Sequence, residues 1–97
     1  MTELRDIGEN MSAKDEKLQQ ILELMNMTLQ DVAMPKNIKT AVEAARTKLQ
    51  EEGDADVKAG GAIYCLGEIG EDINISAHAR TQIWRILSAL ETVKELK

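Results

Sequence analysis

Ninety-seven residues suit a single domain, and a chain this short buries only about 60–65% of the surface its unfolded form exposes, which argues against a deep enclosed active site. With no Phe, one Tyr, one Trp and five Met, the core has to come from aliphatic and methionine side chains, a palette suited to close helix packing. The net charge of −5, with acids and bases interspersed, disfavours phosphate-driven binding to nucleic acid as a property of the whole molecule.

Residues 1–11 form an N-terminal arm or short helix: Leu4, Ile7 and Met11 have helical spacing, but Gly8 and Asn10 weaken it, and Met11 is an alternative start. The remainder, 12–97, reads as one helical domain. A first helix is expected from Ser12, a good cap, to Asp31, with a seam of Leu18, Leu22, Met25, Leu29 and Val32. Leu24, Met27 and Met34 lie off that seam and widen the apolar face.

Pro35 presets the first turn of a second helix, which turns Ile38, Ala41, Val42, Ala45 and Leu49 inward and is stopped by Gly53. Asp54 caps a third helix, Ala55 to Ile69, anchored by Val57, Ile63, Leu66 and Ile69. Its glycines Gly60, Gly61 and Gly67 each cost about 1 kcal/mol relative to alanine, so close approach of another backbone, over a small-residue surface that Ala59 and Ala62 extend, is the expected compensation. A fourth helix from Ser76 to Leu96 carries Ala79, Ile83, Ile86, Leu87, Leu90 and Val93. With one Pro and no period-two alternation, the class is all-α.

The second half reads as a rough copy of the first. Asp31-Val32-Ala33-Met34-Pro35 aligns with Asp72-Ile73-Asn74-Ile75-Ser76, Thr40 with Thr81 and Leu49 with Leu90, a shift of 41 residues. Two helices per period is the size of a HEAT or armadillo unit. Two units are too few for a stable solenoid, so either the hairpins close into a four-helix bundle, the favoured arrangement, or a second copy supplies the missing neighbour. In both halves an acid precedes a base across the turn, Asp31 before Lys39 and Asp72 before Arg80, which predicts a geometry-setting ion pair in each.

Candidate chemistry is sparse. His78 has no second ligand at metal-binding spacing and reads as a solvated or capping residue. Cys65, the lone cysteine, excludes an internal disulfide, fits a reducing interior and reads as a small core residue. The acidic run from Glu51 to Asp56 fails as a calcium loop because Lys58, Ala59 and Cys65 stand where a ligand, glycine and glutamate are required. The glycines follow no strand and precede no Lys-Ser/Thr, so they are not a phosphate loop. No catalytic group and no cofactor is expected. No apolar run approaches the ~18 residues that span a membrane, and residues 1–11 lack a leader's pattern, so a cytoplasmic protein is expected.

Trp84 sits at the margin of the Ile83, Leu87, Leu90 stripe. With Leu24, Met27 and Met34 it makes a candidate contact patch for a protein partner or a second copy. The leading expectation is therefore a non-catalytic interaction or assembly module. The alternative is a nucleic-acid accessory protein using Lys36, Lys39, Arg46 and Lys48 of the second helix, against which the acidity and the lack of stacking aromatics count.

The stretch Ala62-Ile63-Tyr64-x-Leu66-x-Glu68-Ile69, then Asp72-Ile73-Asn74-Ile75, then Arg80-Thr81-x-Ile83-Trp84-x-Ile86 resembles the small archaeal proteins of an uncharacterised family of the UPF class. The resemblance runs from about Ser12 onward and is strongest in the Arg-Thr-x-Ile-Trp segment. It implies a compact archaeal helical bundle and no particular activity. The glycine-bearing third helix departs from the alanine-rich version the resemblance leads one to expect.

Overall fold

The structure, a computed structural model, describes residues 12–72 and 74–96; the expected N-terminal arm lies outside the described residues. Those residues form four helices and no strand: α1 (Ala13–Gln30), α2 (Lys36–Gln50), α3 (Ala55–Gly70) and α4 (Ala77–Glu95). Each start has a local cause. Ser12 Oγ accepts from Asp15 N at 3.1 Å, Asp54 Oδ1 from Asp56 N at 3.2 Å and Ser76 Oγ from Ala79 N at 3.2 Å, while Pro35 takes the cap position of α2 without a side-chain bond. Gly53 adopts φ +133°, a conformation that ordinary side chains rarely take, and so ends the α2 connection as expected.

α3 packs most extensively on α2 and then on α4, α1 lies beside α2 and α4, and α1 and α3 touch only lightly across the diagonal. This ring is a four-helix bundle with alternating helix directions. Its two ends are marked by polar contacts. At one, Lys14 Nζ reaches Asp56 Oδ1 at 2.8 Å, tying the start of α1 to the start of α3. At the other, Asp31 in the first turn meets His78 at the start of α4.

The 41-residue copy is structural. Asp31 N donates to Thr28 O and Asp72 N to Ile69 O, both at 3.2 Å; Met34 N donates to Asp31 O and Ile75 N to Asp72 O. Each aspartate side chain also closes its own turn, Asp31 Oδ1 accepting from Ala33 N at 2.9 Å and Asp72 Oδ1 from Asn74 N at 2.8 Å. The buried positions coincide too: Leu18 with Ala59, Ile21 with Ala62, Met25 with Leu66, Met34 with Ile75, Ile38 with Ala79, Val42 with Ile83, Ala45 with Ile86 and Leu49 with Leu90. Small residues on α3 and in the middle of α2 let those two helices approach closely, and Ile83, Ile86 and Leu90 supply the large buried side chains of α4. Each fully buried Ile or Leu contributes about 1.5–3 kcal/mol of burial energy.

Several expectations are corrected. The inner line of α1 runs Leu18, Ile21, Met25, Thr28, with Leu22 and Leu29 half-buried beside it, whereas Val32 is 96% exposed in the turn. The turn begins at Asp31, so the helical period no longer applies by Val32. Thr28 is buried because its Oγ1 donates to Leu24 O at 3.0 Å, which leaves a methyl facing the core. Val57 is exposed instead of anchoring α3, a role held by Ala59, Ala62 and Leu66.

Candidate interaction surface

Both aromatic side chains lie on the outside, Tyr64 on α3 at 78% exposure and Trp84 on α4 at 55%. Gly70 is where α3 and α4 meet: a Cβ placed there would lie 3.2 Å from Ile83 Cγ2 and 3.6 Å from Leu87 Cδ1. Leu87 therefore marks the α3-facing flank of α4, and Trp84 and Arg80, three and seven residues earlier, share that flank. Arg80 Nη2 donates to the Asp72 carbonyl at 3.3 Å while its guanidinium carbon stands 6.0 Å from the Trp84 ring centroid. The guanidinium thus links the second turn to the exposed indole.

Of the expected patch, Trp84 and Met27 are exposed, but Leu24 is half-buried against the core and Met34 is a core residue. Met34 leaves the patch because the first turn folds it inward, as its equivalent Ile75 is folded in the second.

The expected ion pairs are also redrawn. Asp31 Oδ2 takes His78 Nε2 at 2.7 Å, not Lys39, and this contact joins the two hairpins. His78 holds the Asp31 carboxyl below the ordinary carboxylate value, helped by the Ala33 N–H, with the Lys39 charge the smallest contributor. In the second half Arg80 meets the Asp72 backbone carbonyl, while Asp72 Oδ1 accepts from the Asn74 N–H.

On α3 no other backbone lies against Gly60, Gly61 or Gly67. A Cβ on Gly61 would rest 3.4 Å from Lys48 Cδ, so the α2 lysine stem passes over it; Gly60 and Gly67 face open space. Val57, Gly60, Tyr64 and Gly67 follow one another at intervals of 3, 4 and 3, a single line along the outer side of α3. That spacing was available in the sequence as a second stripe opposite the Ala59, Ala62, Leu66 stripe. Only the fold shows which of the two is buried.

On α2, Arg46 Nη1 donates to Asn26 Oδ1 at 2.7 Å and Lys48 lies 3.8 Å from Glu51, so two of the four basic residues have intramolecular contacts. Among the described residues no cluster of three or more His, Cys, Asp or Glu is placed to hold a metal ion, and no helix is long and apolar enough to cross a membrane. Cys65 is a half-buried free thiol packed against the core.

These features define a small all-α bundle of two equivalent hairpins with aromatic side chains on its outer faces. Over residues 5–93 the chain matches the UPF0147 model, an uncharacterised protein family, and it belongs to that family. It is 41% identical to a UPF0147 protein of Pyrococcus abyssi, over 87% of this chain and all of that one. It is 38% identical to one of Methanothermobacter thermautotrophicus, over 91% of this chain and 85% of the other. Both relatives are archaeal. The crystal structure of the unknown-function protein MMP1188 superposes with a TM-score of 0.74 at 39% identity, covering 86% of this chain and 94% of that one.

Proposed function

We propose that this protein is a non-catalytic helical interaction or assembly module of the cytoplasm, acting through a protein partner or a second copy. The observation that supports it most is that a chain with two aromatic residues places both on its surface. Aromatics contribute most to packing when buried and are enriched at interface hot spots. Met27 on α1 and Val57 on α3, beside Tyr64, add exposed apolar area.

The test is capture from native archaeal lysate by the tagged full chain, with and without nuclease, together with light scattering of the purified protein. A stoichiometric protein partner that survives nuclease, or a defined oligomer, is the expected result. A monomer whose captured material vanishes with nuclease would replace this reading with a nucleic-acid one, centred on α2.

A further inference from the structure

We draw no further inference here: the strongest candidate, the surface patch of Arg80 and Trp84 on the α3-facing flank of α4, sets an exposed indole beside a guanidinium already engaged by the Asp72 carbonyl, and nothing in the structure shows what covers it.

Discussion

The glycines of α3 differ by what each faces, and one substitution separates them. Gly60 and Gly67 have room for a methyl group, so alanine at either should stabilise the monomer by about 0.5–1 kcal/mol through helix propensity alone. At Gly70 the methyl would stand 3.2 Å from Ile83 Cγ2 in the core, so alanine should give no gain or a loss. Urea unfolding of the three variants, under conditions where the protein is monomeric, decides this; equal gains at all three positions would mean that Ile83 yields freely. The Asp31–His78 contact makes a second prediction, through pH. Because the folded-state pKa of Asp31 is lowered, its contribution is fully present above the unfolded value and lost as pH falls through the folded one. Wild type should therefore exceed Asp31→Asn in stability at neutral pH, with the gap closing in acid. Asparagine keeps the oxygen that accepts from Ala33 N, so the comparison removes the charge and its contact with His78 while sparing the turn. A gap that stayed constant from neutral to strongly acid solution would show that the carboxylate's titration contributes nothing.

Among the elements, α3 is the one whose size matters most, because its alanines let it approach α2 and α4 closely. Ala62→Leu would force a larger side chain into that contact and should cost about 1–3 kcal/mol, whereas the same change at half-exposed Ala89 should cost less than half as much. Thermal unfolding of the two variants measures the contrast, and equal losses would mean that the α2–α3 contact is loosely packed. The helices themselves were legible because Ser12, Pro35, Gly53, Asp54 and Ser76 act on neighbours a few residues away. The repeat was legible because both turns reuse one aspartate device. Orientation was not: α3 carries two stripes at helical spacing, and Val57 looks as suitable for a core as Ala59 until close packing excludes the larger residue. Nor was the partner of Asp31, since His78 lies 47 residues away and only closure of the hairpins brings it near.

At the scale of the molecule, the two hairpins are equivalent in backbone and unlike in content. The first brings Leu18, Ile21 and Met25 on its leading helix where the second brings Ala59, Ala62 and Leu66, while Ala45 in the first is matched by Ile86 in the second. Two copies of the second hairpin would leave voids around Ala59, Ala62 and Ala79, each lost large side chain costing about 2–5 kcal/mol. Two copies of the first would crowd Leu18, Ile21 and Ile38, which replace Ala59, Ala62 and Ala79. Cutting the chain in the loop at Gly53 should therefore yield fragments 12–52 and 53–97 that are poorly folded alone and recover native helicity when mixed at equal amounts. Circular dichroism across mixing ratios measures this, with an expected maximum at one to one. If either fragment alone formed a dimer as helical as the mixture, the size difference between the hairpins would not govern their pairing, and the bundle would behave as a symmetric assembly carried on one chain.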